Sequence, residues 1–414
     1  MLNTMKNINS TSRRNFIKNS AGLALAASVF PGINLYANHK KDDGGLGLSD
    51  LPDYVSWKDR PSFIIHSDNT IETHRSVLGQ TVITPNKYVY VRNNLPSMKQ
   101  DEIDYVKEGE FKDWIVRISG VRSPTIFKLN DLKKLGSKKI VTVLQCSGNG
   151  RGFFGHAPRG TQWLTGAAAC VEWEGVPVKD VINACGGISS KTKFMTSRGG
   201  ETIPAMLNPV TTAIERSQPI SVVKHAILAW KMNGEDLSLA HGAPLRLIVP
   251  GYFGINNIKH LARLDFSQKE SSYKIQRDSY RISPHGKKGP QYPSCWEMPV
   301  KSWITNPYAK DGVVPSGKVK ISGVAMGGMH DVTKVKVSIN GGADWETAKF
   351  VGKDYGRFAW RKFELETNLK PGKYILSSKA SNSRWQTQPM ERMENERGYA
   401  NNSWLDHSVT INVA

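Results

Sequence analysis

The chain has 414 residues, enough at roughly 150 residues per domain for two or three domains and a substantial core. With 39% hydrophobic and 22% charged residues, 37 glycines and 21 prolines, it has the composition of a loop-rich globular protein, which excludes collagen, a coiled coil and a largely disordered chain. Lysine and arginine outnumber aspartate and glutamate 56 to 36, and the net charge of +20 points to anionic substrates, an acidic partner, nucleic acid or a membrane surface without choosing among them.

Residues 1–37 read as a targeting segment. Arg13-Arg14-Asn15-Phe16-Ile17-Lys18 matches a twin-arginine signal, followed by the apolar run Ala21 to Phe30, Pro31 and a cleavage site after Ala37. That run is too short to span a bilayer, so no stable membrane insertion is expected. Cleavage would remove Lys6, Arg13, Arg14 and Lys18 and no acid, lowering the net charge from +20 to +16. A twin-arginine signal carries a protein that is already folded, often around a cofactor, and the expected location is periplasmic. Residues 38–77 read as a linker and N-terminal extension, polar and Gly-rich between Lys40 and Ser49.

Short β-branched or aromatic runs follow at Tyr88 to Val91, Trp114 to Ile118 and Ile140 to Leu144, with helical pattern at Asn130 to Leu135 and Val178 to Ala184. The expected architecture for 78–290 is therefore mixed α+β. Gly148-Asn149-Gly150 lacks the third glycine and downstream acid of a dinucleotide fingerprint. From about Asn306 the texture turns to regular strands at Val319 to Val324, Val335 to Ile339, Phe358 to Leu365, Lys373 to Ala380 and His407 to Val413. Lys334 to Ile339 alternates strictly and leads into the turn residues Asn340-Gly341-Gly342. An all-β immunoglobulin-like sandwich over 291–414 fits, joined to the first domain by an irregular crossover between Tyr280 and Trp303.

The four cysteines make no C-x-x-C or C-x-x-C-H pair, which argues against a zinc ribbon, a thioredoxin-like site and attached haem; Cys170 and Cys185 read as buried thiols. Cys146 differs, because it ends a strand on the small-residue loop Ser147-Gly148-Asn149-Gly150-Arg151. Glycines there let something bulky approach the backbone, and Arg151 can hold an anion and favour a thiolate. A nucleophile, a soft-metal ligand and an inert thiol remain open on spacing alone. His241 to Gly251 reads as a second strand carrying His241 and Arg246, followed by Asn257-Ile258-Lys259-His260. These are basic groups without acids, suited either to solvent or to a phosphate-bearing cofactor. Tyr90-Val91-Arg92-Asn93-Asn94 is another strand ending in an arginine.

In this order the pieces resemble the sulfite oxidase family of molybdopterin enzymes, bacterial sulfite and sulfane dehydrogenases among them. The likeness runs from about Leu78 to the C-terminus. Arg92-Asn93-Asn94 resembles the family's Arg-Asn-His segment, Cys146-Ser147-Gly148-Asn149 its molybdenum-ligand loop, and Gln162-Trp163-Leu164-Thr165-Gly166-Ala167 the Trp-x-x-Gly-Ala that follows. His241 to Gly251 resembles its His-Gly-x-Pro-x-Arg strand, and Arg277 to Tyr280 the segment with its active-site tyrosine. Ser338 to Trp345 and Gln388-Pro389 resemble its dimerisation domain.

The resemblance implies a molybdenum-molybdopterin cofactor with the Cys146 thiolate as metal ligand, contacted by Val91, Arg92, Asn93, Asn94, Ser197, His241, Arg246, Asn257, Ile258 and Lys259, with Ser197 standing in for a pterin-contacting aspartate. It implies Arg92, Arg151 and Tyr280 around a sulfur oxyanion, oxidation of sulfite to sulfate, a homodimer, and electrons passed one at a time to a c-type cytochrome, since no haem domain is expected in this chain. Asn94 stands where the family commonly has histidine, Gly150 replaces an arginine beside Arg151, and Arg159 can supply a replacement cation. Those departures leave open a sulfane or thiosulfate-pathway dehydrogenase, and less readily a sulfoxide reductase, which typically lacks the β-domain. A noncatalytic polyanion- or nucleic-acid-binding module is disfavoured, because the aromatics are not interleaved with basic residues on one repeating face.

Overall fold

The computed structural model of the protein describes residues 50–95, 114–203, 205–308 and 312–414. The targeting segment and the Gly-rich stretch to Ser49 lie outside the described residues. From Asp50 the expected linker and extension is folded: β1 (Phe63–Ser67), β2 (Thr70–Thr73) and β3 (Val91–Arg92) form an antiparallel sheet. It packs against the first domain, because Phe63, Ile65, Ile71 and Val91 share a small apolar core with Ala240.

Two five-stranded sheets build the first domain. One has the order β5-β4-β13-β8-β9, from β4 (Ile115–Ser119), β5 (Thr125–Lys128), β8 (Phe194–Gly199), β9 (Glu215–Pro219) and β13 (Leu261–Ser267). The other has the order β11-β10-β7-β6, from β6 (Lys138–Gln145), β7 (Ala168–Pro177), β10 (Ile227–Met232) and β11 (Glu235–Asp236), with β12 (Arg246–Ile248) paired to β10. Helices α1 (Leu129–Lys134) and α2 (Val178–Ala184) stand where the periodicity places them, and with residues of both sheets they enclose the main core. On the other face of the β6-containing sheet, Leu144, Trp163, Trp173 and Ile248 form a second core beneath the site described below.

The second domain has two four-stranded sheets. β14 (Lys301–Asn306), β15 (Gly317–Met326), β18 (Lys349–Val351) and β19 (Arg361–Leu369) run in the order β14-β15-β19-β18. β16 (Val332–Ser338), β17 (Glu346–Thr347), β20 (Gly372–Asn382) and β21 (Val409–Val413) run as β17-β16-β20-β21. Apolar residues of both fill one core, as period-two alternation requires: Val335 and Val337 are buried and Lys334 is exposed. Gly341 and Gly342 take φ of 68° and 95°, as the turn after β16 demands.

Two expected strands are corrected. Tyr88 ends a 3-10 turn (Asn86–Tyr88), and only Val91–Arg92 pairs, because Pro85 favours that turn and a lysine takes the Asn86 and Val89 carbonyls out of any ladder. In His241 to Gly251 only Arg246–Ile248 is strand; His241 ends a 3-10 turn stopped by Gly242 at φ 103°. All four cysteines are free thiols; burial pushes Cys170 and Cys295 up to about 12 and raises Cys185. Among the described residues no helix is long and apolar enough to cross a membrane.

Candidate functional site

β6 carries the chain to Cys146, and the loop beyond it is wound tightly by its own backbone. Cys146 N donates to Ala167 O at 2.9 Å, Asn149 N to Cys146 O at 3.0 Å and Arg151 N to Gly148 O at 2.8 Å. Asn149 braces the turn, donating to Gln145 Oε1 at 3.1 Å and accepting from Ala167 N at 3.1 Å. The adjoining turn is held by Glu72 of β2, whose carboxylate accepts from Leu164 N and Gly166 N at 2.9 and 2.8 Å and meets His66 Nε2 at 2.8 Å. A Cβ at Gly148 would lie 2.5 Å from Arg151 Nη2, so only glycine lets that guanidinium fold beneath the loop. The thiol is left half-buried.

The second domain closes over this loop from behind. Ala400 N donates to Ser147 O at 2.9 Å, Lys301 Nζ to Asn149 O at 3.2 Å and Asn401 Nδ2 to Gly150 O at 3.0 Å. Arg151 returns the contact, giving Nε to Arg397 O at 2.8 Å, while its Nη1 goes to Thr161 O at 2.9 Å. Buried peptide groups need such partners, each worth about 1 kcal/mol net. Lys301 is wholly buried, and burial pushes it down to about 7.

Tyr280 reaches the same place from the other side, its Oη 3.4 Å from Asn94 Oδ1. It lies on Tyr399 with ring centroids 5.3 Å apart and planes 12° from parallel; Arg151 covers the far face of the pair at 5.3 Å and Arg216 lies 5.6 Å from Tyr280. Tyr399 Oη donates to Ser279 O at 3.2 Å. Arg216 is fully buried on Asn256 Oδ1, Ile275 O and Ser294 Oγ, and burial brings it down to about 10.

Beside the thiol loop is a cluster of buried cations. Lys259 Nζ donates to Asn93 Oδ1 at 2.7 Å, to Arg92 O at 3.3 Å and to Ala240 O. Arg246 Nη1 donates to His241 O at 3.0 Å and Nε to Asn257 O at 3.2 Å, with the guanidinium 5.2 Å from the Trp173 ring. Asn257 fixes the turn by accepting from Val249 N at 2.7 Å, and Ile258 is buried with its carbonyl accepting from Leu247 N. Lys58, which sequence reasoning passed over, is only 5% exposed; its Nζ donates to Asn86 O and Val89 O, both at 2.8 Å, and lies 3.1 Å from His241 Nε2. An ammonium's three N–H groups match these three acceptors, which leaves the imidazole proton on Nδ1.

Burial is the largest force on these groups, lowering Lys58, Lys259 and His241 well below their ordinary values and Arg246 to about 10. Repulsion from neighbouring cations adds to it at His241 and Lys259. Glu201, raised by burial to about 7, is the carboxylate that acts on Lys259. So many buried cations with so little negative charge fit an anionic ligand.

Arg92, Asn93, His241, Arg246, Asn257, Ile258 and Lys259 are thus gathered together, as are Asn94 with Tyr280 and Cys146 with Arg151. Val91 is buried in the N-terminal sheet beside Arg92, whose Nη1 turns back to Asn93 O. Ser197 is not brought to the cations: it is buried in β8, its Oγ 3.4 Å from Arg216 O, and paired in register with Leu264. Glu201, just past β8, stands nearer Lys259. Lys58, Glu72, Arg216 and Lys301 carry no local motif, and only the tertiary fold gives them partners.

Residues 103–275 match the family described as "Oxidoreductase molybdopterin binding domain", and residues 292–414 match "Mo-co oxidoreductase dimerisation domain". The mitochondrial sulfite oxidase of Macaca fascicularis is 32% identical over 358 residues, 82% of this chain and 63% of that protein. The chain belongs to the sulfite oxidase family. The sulfite oxidase of Arabidopsis thaliana is 28% identical, covering 83% of this chain and 91% of its own length. A crystal structure described as the sulfane dehydrogenase SoxCD from Paracoccus pantotrophus shares the fold, with a TM-score of 0.68, 24% identity, and 83% of this chain and 86% of that one covered. The chain spans about 63% of the length of the mitochondrial relatives. The cofactor of this family is molybdenum-molybdopterin, and the buried, cation-rich and carboxylate-poor cluster fits its phosphate: His241, Arg246 and Lys259 would hold it.

Proposed function

We propose that the protein is a periplasmic molybdenum oxidoreductase that oxidises sulfite to sulfate and passes the electrons one at a time to a c-type cytochrome. The observation that carries this reading is the convergence of one half-buried thiol, the Asn94–Tyr280 contact and a buried cation cluster at the end of β6. When bound, the cofactor supplies the two-electron oxidation; sulfite and water give sulfate, two protons and two electrons. Cys146 supplies the soft thiolate donor that molybdenum favours, and Asn149 and Ala167 hold the loop that presents it.

Arg92 and Tyr280 bind and orient the oxyanion, the guanidinium as a fork and the phenol as a single donor. Arg151 acts chiefly from behind, because two of its guanidinium nitrogens are spent on carbonyls. Export in the folded state accords with a cofactor enclosed by both domains. The second domain, read as an immunoglobulin-like sandwich, pairs two chains, and the basic surface steers an acidic electron carrier to them.

A second reading, a sulfane dehydrogenase of thiosulfate oxidation, is favoured by Asn94. A neutral amide beside Tyr280 replaces a titratable donor and suits a bulkier, less basic sulfur group. The experiment is molybdenum and pterin analysis of matured protein, with cytochrome c reduction tested on sulfite, thiosulfate and a sulfoxide side by side. Molybdenum near one per chain with sulfite turnover is expected. Turnover of thiosulfate-derived substrates alone overturns the sulfite assignment, and matured protein without molybdenum overturns both readings.

A further inference from the structure

At the opposite end of β6 from the thiol lies a cleft of about 640 Å³ between the two domains. Lys138, at its mouth, precedes Cys146 by eight residues, about 25 Å at the rise of an extended strand. Three elements bring cations to it: the start of β6 contributes Lys138, the 3-10 turn Ile220–Lys224 contributes Lys224, and the loop before β19 contributes Arg357. All three bear on the imidazole of His225, which burial and then these cations hold below its ordinary value. Lys179 and Lys353 stand on the rim.

Arg357 is built into place. Its Nη2 lies 2.7 Å from His225 Nε2, its guanidinium 4.5 Å from the Phe358 ring, and the loop is tied to β6 by Val143 N donating to Phe358 O at 2.8 Å. Two carboxylates share the walls. Glu172 is committed to Lys139 at 3.2 Å, and Asp180 makes no ion pair among the described residues. Nor does any described carboxylate pair with Lys138, Lys224 or Arg357. Like charges held round one imidazole repel, and the arrangement is relieved by a ligand of opposite charge; a guanidinium with free N–H groups and two ammoniums suit tetrahedral oxygens.

We propose that this cleft is a second anion site, separate from the cofactor cavity, which takes a small multivalent oxyanion of the sulfate or phosphate class between Lys138, Lys224 and Arg357. The second domain completes it, since Arg357 comes from there. Binding and the protonation of His225 are linked, so the anion raises the imidazole's affinity for a proton and protonation tightens the anion.

The test uses the full-length, cofactor-loaded protein with ¹³C-labelled histidine at low ionic strength, the His225 signal assigned through His225→Gln. Sodium sulfate and inorganic phosphate are titrated against sodium chloride of matched ionic strength, and phosphatidylglycerol vesicles form a further arm. The expected result is a saturable shift of the His225 signal with sulfate or phosphate and a raised apparent pKa. The double variant Lys224→Gln/Arg357→Gln should weaken that binding at least about tenfold while its unfolding midpoint stays near that of the parent. An identical response to chloride, an undiminished response in the double variant, or a response to vesicles with none to free oxyanions each overturns the proposal.

Discussion

Replacing Lys58 by methionine separates the two jobs that a buried cation does in this cavity. The variant keeps the aliphatic stem and removes three N–H groups. Val89 O and His241 Nε2 lose their donor, whereas Asn86 O still accepts from Val89 N at 3.3 Å. Two buried acceptors left without partners cost about 1–3 kcal/mol each. Against this, the change relieves the burial of a charge beside Lys259 and Arg246, a term of similar size. In cofactor-free protein the two nearly cancel. With the anionic cofactor bound the charge is compensated, so about 2–6 kcal/mol is lost without relief. At roughly 2 °C per kcal/mol for a chain of this size, the loaded variant should unfold about 4–12 °C lower relative to its parent than the cofactor-free variant does relative to its own. The assay is scanning calorimetry at one scan rate on both forms of both proteins, with molybdenum content alongside. Equal drops in the loaded and cofactor-free forms, or a loaded variant as stable and as fully metallated as the parent, would refute the idea that Lys58 serves the cofactor through His241.

Four further outcomes follow from the geometry. Cys146→Ser should leave a folded protein with its unfolding midpoint within a few degrees, yet with at least about 1,000-fold lower turnover; full activity in that variant removes the ligand assignment. Tyr399→Leu should lower kcat/KM about tenfold by releasing the ring under Tyr280, while Tyr399→Phe keeps the stack, loses only the bond to Ser279 O and should lower it about threefold at most; equal losses would count against the stack. Lys301 sits at about 7 in the folded chain and near 10.4 unfolded, so between these values the unfolded chain binds the extra proton and stability rises with pH, by at most about 1.4 kcal/mol per unit; urea unfolding from pH 7 to 9 should show a flatter rise in Lys301→Met. Cytochrome reduction should slow as ionic strength rises, and a flat profile removes electrostatic steering.

The locally encoded elements were legible in the sequence: α2 falls on Val178–Ala184, and the alternation of Lys334 to Ile339 places β16 and the turn that follows. The domain order and the thiol loop were legible too, through an ordered set of short motifs. Legibility fails where a tertiary partner overrides local preference. Tyr88 and Val89 look like strand, but their stretch is turned by Pro85 and held by Lys58, 28 and 31 residues away from the carbonyls it takes. Glu72, Arg216 and Lys301 acquire meaning only from groups brought near by folding; nothing around Glu72 in the sequence announces that it caps a turn 92 residues on. Ser197, expected in place of a pterin-contacting aspartate, spends its hydroxyl on the main-chain oxygen of Arg216, its partner across the sheet, a pairing that only the β8–β9 register reveals.

The charge distribution of the cavity bears on how the protein is made. Lys58, His241, Arg246 and Lys259 are buried together, and each is pushed toward its neutral form. A fold assembled around them is incomplete in free energy until an anion enters, and a tightly bound one stabilises the folded state in proportion to the logarithm of its concentration over its dissociation constant. The thiol loop beside that cavity is closed from behind by Lys301, Ala400 and Asn401, so the cofactor must enter before, or from the side opposite to, the docking of the second domain on the loop. The unpaired buried charge favours loading during folding rather than afterwards. Such a chain accords with the export in the folded state proposed above.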